Sequence, residues 1–182
     1  MLVWHRATVW TVLVAGFSVL AGCFQTPSRL FDKGLDVSLV SGRYDCTMPN
    51  TDGTLRITLS KRYSGPSDTL YDYKFNAPYQ HLDTSVRFGK LQSGQNLIQV
   101  EGRADGLVGY SIVSVDAPTY FSMWIPSADA GTRAQRFGLS LEMTGFSWSP
   151  AKLAGPREGV VAFLESFQPN DLRVAFLCRH VT

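Results

Sequence analysis

Cysteines, histidines and aromatic clusters are the residues of this chain whose types and spacing could do chemistry. The cysteines are Cys23, Cys46 and Cys178. A thiol can be acylated, oxidised to a disulfide, or used as a metal ligand or nucleophile, and its surroundings decide which. Cys46 and Cys178 have no clustered Cys or His partners, so a metal site is not expected. Tyr44, Cys46 and Met48 share one face of an alternating stretch, and Leu172, Val174, Phe176 and Cys178 share one face of another. Two inward thiols in an oxidising compartment predict a Cys46–Cys178 disulfide, worth up to about 5 kcal/mol in chain entropy. Of the histidines, His81 stands two residues before Asp83 and on the same face if the stretch is extended. That pair could orient an imidazole or begin a metal site, but it lies in a Pro-containing connection without a third ligand, and reads as a loop histidine. His180 reads as a strand-end residue. No Gly-x-Ser-x-Gly elbow, His-Glu-x-x-His or phosphate loop occurs. The sequence therefore predicts no catalytic residues, no metal, no cofactor and no enzyme.

The aromatic residues suit recognition better. In "TYFSMWIP", Phe121, Met123 and Ile125 occupy one strand face and Tyr120 and Trp124 the other; in "GFSWSP", Phe146 and Trp148 share a face. Flat, amphipathic Tyr and Trp surfaces suit protein or glycan contacts. Tyr120, Trp124, Phe146 and Trp148 are thus the candidate binding surface. The competing expectation is that one face is core and the other lies beneath a helix or a second sheet.

Cys23 has a different setting. Met1–Arg6 is positively charged, and Ala7–Leu20 is apolar except for Thr8, Thr11 and Ser18, the layout of a secretory signal. From Ala7 to Phe24 the run is at the lower limit for crossing a bilayer. Leu20-Ala21-Gly22-Cys23, which closes the run, resembles the lipobox of bacterial lipoproteins at all four positions. The resemblance covers only the signal segment. It implies a diacylglyceryl group on the Cys23 sulfur, cleavage after Gly22 and a further acyl chain on the new amino terminus; several chains anchor stably where one does not. Phe24, not Asp, follows the cysteine. By analogy with enteric Gram-negative bacteria this implies the outer membrane, facing the periplasm.

Cleavage before Cys23 leaves 160 of the 182 residues, enough for one domain with a real core. The formal charge of +2 falls to +1 with the loss of Arg6, which gives no electrostatic footprint for nucleic acid. Lys61-Arg62 is an isolated pair at the solvated end of a strand.

From Gly42 onward the hydrophobic period is two. It is clearest in "TLRITLSK", "YDYKF", "IQVEGR" (Ile98 and Val100 against Gln99, Glu101 and Arg103) and "RFGLSLEM". Turn signals such as Asp52-Gly53, Ser93-Gly94 and Asp105-Gly106 separate these half-buried strands. The pattern predicts a mainly β fold: an antiparallel β-barrel or β-sandwich of about 8–10 short strands. Val160, Phe163, Leu164 and Phe167 make a helical stripe, with Pro156 before it and Pro169 after, so one C-terminal helix should precede the last strand. In a barrel the first and last strands are neighbours, where a Cys46–Cys178 bridge needs them. The expected organisation is a signal peptide over 1–22, a lipidated N-terminus and tether over 23–41, and a single β-rich periplasmic domain over 42–182. Val37, Leu39 and Val40 suggest that the end of the tether docks.

"YDC" followed by "LRITL" is similar to the opening strand pair of the membrane-bound inhibitors of c-type lysozyme, which are also small lipid-anchored barrels. Ser41-Gly42 stands before the cysteine here and their later aromatic-lysine loop has no counterpart, so no inhibitory residue is transferred. The functional expectation is a lipid-anchored, non-catalytic binding module of the envelope for a small ligand, glycan or protein. The alternative is an assembly lipoprotein that docks on an envelope protein complex. A ligand binder should have a cavity lined by aromatics; an assembly factor should expose an apolar patch.

Overall fold

A computed structural model describes residues 24–49, 53–65, 68–76, 84–101, 106–116, 118–126, 129–142 and 151–181. The strands among them are β1 (Phe24–Thr26), β2 (Gly42–Thr47), β3 (Thr54–Gly65), β4 (Asp68–Phe75), β5 (Thr84–Lys90), β6 (Asn96–Glu101), β7 (Val108–Asp116), β8 (Tyr120–Pro126), β9 (Ser140–Glu142), β10 (Ala151–Ala154) and β11 (Leu172–Val181). The helices are α1 (Ala130–Arg136) and α2 (Arg157–Glu165), with a 3-10 turn at Pro169–Asp171.

Eight strands, β2 to β8 and then β11, pair antiparallel with their neighbours and close because β11 returns to β2. Of the two architectures the pattern allowed, the chain thus adopts the barrel. Closure places Cys178 opposite Cys46, and the two form a disulfide with Cα atoms 4.0 Å apart. Alternation sends Tyr44, Tyr71, Tyr73, Phe88, Phe121 and Phe176 inward, where all are buried. An eight-stranded barrel is just wide enough for its own side chains, and these rings occupy its interior.

A second core lies outside the barrel wall. β6 and most of β7 are buried on both faces, and Leu97, Val108, Tyr110 and Ile112 pack beneath Val160, Phe163 and Leu164 of α2. Val160, Phe163 and Leu164 of the stripe read from the sequence form the buried face of that helix, while Phe167, also buried, lies just beyond its end. Glu158 stands in its first turn, where a carboxylate suits the positive end of the dipole. β8 parts from β7 beyond the Trp124–Ile112 pair, and β1 takes its place, setting Phe24 opposite Tyr110. β10 pairs parallel to β1, and β9 pairs antiparallel to β10.

Three stretches take a different backbone course from the sequence reading. Where "RFGLSLEM" alternates, the chain is helical to Arg136 and extended only over Ser140–Glu142. Gly138, at φ 71°, adopts the left-handed conformation that ends α1, and its N–H donates to the Gln135 carbonyl. In β11 the register slips between Val174 and Phe176. This bulge splits the expected single face: Phe176 and Cys178 point into the barrel, whereas Leu172 joins the outer core.

The third difference is the segment expected to be a tether, which is docked along its length. Gln99 Oε1 accepts from the N–H groups of Leu30 (3.1 Å) and Phe31 (3.0 Å), while its Nε2 donates to the Phe31 carbonyl (2.9 Å). Arg157 donates to the Leu30 carbonyl at 2.7 Å, and Gly34 N–H donates to Asp68 Oδ1 at 2.7 Å. The chain then crosses one end of the barrel. Leu35 N–H donates to the Phe88 carbonyl, Val40 N–H to the Pro118 carbonyl, and Leu39 sits in the barrel core at 1 % exposure. Residues 27–41 are therefore a strap that closes this end, where the β7–β8 turn, the start of β2 and the end of β11 meet.

Candidate functional site

A cleft of about 470 Å³ opens at the strap end, lined by Asp116, Thr119, Tyr120, Arg179 and His180. The sheet register assembles it. Asp116, Tyr120 and Arg179 are successive cross-strand partners on β7, β8 and β11, and the row continues through Asp45 on β2 to Arg56 on β3. Asp45 is held by Arg56, whose Nε donates to Oδ1 at 2.6 Å and Nη2 to Oδ2 at 3.2 Å. That hydrogen-bonded guanidinium keeps the Asp45 carboxyl below the ordinary carboxylate range. Arg179 has no carboxylate partner among the described residues. Its guanidinium carbon lies 5.8 Å from the Tyr120 ring centroid, a cation–π arrangement that leaves the N–H fork available.

His180 closes the inner side of the cleft. Its backbone N–H donates to the Thr119 carbonyl at 2.8 Å, and its ring stands edge-on to Tyr44, with centroids 5.3 Å apart. A Cβ on Gly42 would come within 2.3 Å of His180 Nε2, so the glycine lets the imidazole lie against the β2 backbone. Below it, Tyr44 Oη donates to the Val40 carbonyl at 2.7 Å, and burial pushes the phenol up to about 12. One strand end, the strap and the imidazole thus support one another.

Among the described residues no hydrogen bond joins the imidazole to Asp116 or to a hydroxyl, and no cluster of three His, Cys, Asp or Glu side chains could hold a metal. The structure brings Tyr120 to the cleft but places Trp124 elsewhere. Trp124 is half-buried against the outer core, its indole N–H donating to Ser122 Oγ at 2.9 Å. Phe146, Trp148, His81, Asp83 and Cys23 lie outside the described residues. Sequence reasoning left Arg179 and His180 out of the site; the one available signal was that two polar residues follow Cys178 on the strand expected to close the barrel.

The strap end is also where large apolar side chains are exposed. Leu35 and Val40 on the strap and Tyr63 near the β3–β4 turn are the exposed large hydrophobics among the described residues, at 46, 39 and 57 %. Beneath them, Asp36 accepts from Lys61 Nζ at 2.8 Å and Tyr71 Oη at 3.1 Å. Comparison of the chain with family models, curated proteins and solved structures finds no significant match.

Proposed function

We propose that this protein is a lipid-anchored envelope lipoprotein, held by Cys23 at a bacterial outer membrane, whose strap end binds an envelope protein. The carrying observation is the coincidence at one end of three exposed apolar side chains with an aromatic-backed arginine that forms no ion pair among the described residues. Aromatic residues and Arg are the side chains that dominate protein interfaces. A partner that fits would present a carboxylate to Arg179, flanked by apolar side chains for Val40 and Leu35. The buried rings that occupy the barrel interior favour an exterior site over a calyx. No catalytic role is assigned.

The cleft itself supports a second reading, because its volume is in the range of small-ligand sites. Tyr120 with Asp116, Arg179 and His180 offers the aromatic face and planar polar groups that hold a sugar. Photo-crosslinking in living cells separates the two. A crosslinking residue in place of Val40 or Tyr120 should give one discrete protein adduct, weakened by Arg179→Glu, and none should form from Thr54 at the opposite end. The absence of adducts from the strap end, or equal adducts from Thr54, would reject the protein-docking reading.

A further inference from the structure

The lipid attachment residue adjoins a strand, not a linker. Phe24, the residue after Cys23, pairs with Tyr110 of β7 on one side and Ala151 of β10 on the other. Its side chain is 3 % exposed, with its ring 5.0 Å from that of Phe163 and 6.1 Å from that of Phe167. Gln25 and Thr26 are buried too, and the strap bonds described above hold the chain from there to Val40. Slack that could let the domain drift from its anchor is therefore missing after residue 23, and one peptide unit spans only about 3.8 Å.

We infer, resting on the lipidated-Cys23 reading, that the barrel lies directly on the phospholipid bilayer, with the wall around β1 and the end of β8 as its membrane-contact surface. The attachment point is on the wall: Phe24 stands opposite Tyr110, two residues along β7 from the Trp124–Ile112 pair, or about 7 Å away at strand rise. Trp124 is thus the aromatic side chain of β8 nearest the acyl chains, and a half-buried Trp with an engaged indole N–H suits the headgroup layer. Lys152, Arg157 and Arg29 are exposed around β1, but Glu142 stands opposite Lys152 and Glu158 follows Arg157. Charge is mixed there, so the acyl chains hold the surface down rather than attraction to anionic lipid. Wall contact leaves the strap end clear for a partner.

The test uses the full-length lipoprotein purified from bacterial membranes, carrying Trp148→Phe so that Trp124 is the one tryptophan of the mature chain. Intact mass reads the acylation of Cys23. The protein is reconstituted in phosphatidylethanolamine/phosphatidylglycerol vesicles, plain or brominated near the head of the acyl chains. Brominated lipid should quench most of the Trp124 emission. Inserting twelve Gly/Ser residues between Cys23 and Phe24, roughly 20 Å of r.m.s. reach, should restore it at unchanged melting temperature. An acylated protein whose emission ignores bromine, or whose quenching survives the linker, would overturn the inference. A mass without acyl groups would overturn the lipoprotein reading itself, and the inference with it.

Discussion

Replacing Gln99 with Leu should unfasten the strap. Gln99 is fully buried, and its amide serves the strap backbone three times, at Leu30 N–H, Phe31 N–H and the Phe31 carbonyl. Leu is close in volume, so the change removes hydrogen bonds without a large cavity. Leu30 N–H keeps Tyr110 Oη at 2.8 Å, whereas both backbone groups of Phe31 lose these partners. At about 1–3 kcal/mol for each buried group left unpaired, and with Phe31 only half-buried, the expected loss is roughly 2–4 kcal/mol. For a domain of this length that is a fall in Tm of roughly 5–15 °C. Hydrogen exchange should locate the effect, because Leu35 and Val40 N–H groups, bonded to the Phe88 and Pro118 carbonyls, should lose protection before the barrel strands do. Gln99→Glu keeps the acceptor but loses the donor, and sets a second carboxylate beside Glu101, which Gln99 Nε2 now meets at 2.6 Å; it should destabilise at least as much. A Tm within about 2 °C of wild type, with strap protection unchanged, would refute the clamp.

Further outcomes follow from the same contacts. The paired substitution Cys46→Ser/Cys178→Ser opens a loop of 132 residues and should lower stability by up to about 5 kcal/mol; an unchanged urea midpoint would count against the bridge. Tyr73 Oη is buried with no hydrogen-bond partner among the described residues. Tyr73→Phe should therefore be neutral or stabilising by up to about 1 kcal/mol, and a marked fall in Tm would mean that the hydroxyl is satisfied after all. Asp36 is held below its ordinary value of 3.8, chiefly by Lys61, and Asp45 likewise by Arg56. A depressed folded pKa contributes stability above the unfolded value and loses it as pH falls through the folded one. Tm should accordingly hold steady down to about pH 5 and decline below about pH 4, more gently in Asp36→Asn. Burial raises Tyr44 and Tyr110 to about 12, so stability should also be lost as pH climbs from about 10 toward 12.

The barrel was legible because each of its walls has one dry face. Leu55, Ile57 and Leu59 alternate with polar residues for no other reason, and the α2 stripe shows equally clearly because that helix buries a single face. The strap was hidden because its ties run from side chains to backbone and leave no period. "IQVEGR" looked like a strand with a wet face, yet Gln99 and Glu101 on that face are buried beneath the strap, where Arg87 and Arg29 pair with Glu101. The bulge after Val174 likewise has no signature in the residue types around it. As for the site, Tyr120 was visible as an aromatic out of place on a half-buried strand. Arg179 and His180 acquire meaning only when β11 lies beside β8, a pairing that depends on closure of the whole barrel.

The most direct test of a membrane-held module with a protein-docking strap end is quantitative co-purification from native membranes. Full-length wild type would be compared with Arg179→Glu, and with Lys152→Glu as a charge change on the barrel wall. One envelope protein recovered in near-stoichiometric amount with wild type and Lys152→Glu, and lost with Arg179→Glu, is the predicted result. Recovery that is indifferent to Arg179, or no protein recovered at all, would contradict the account.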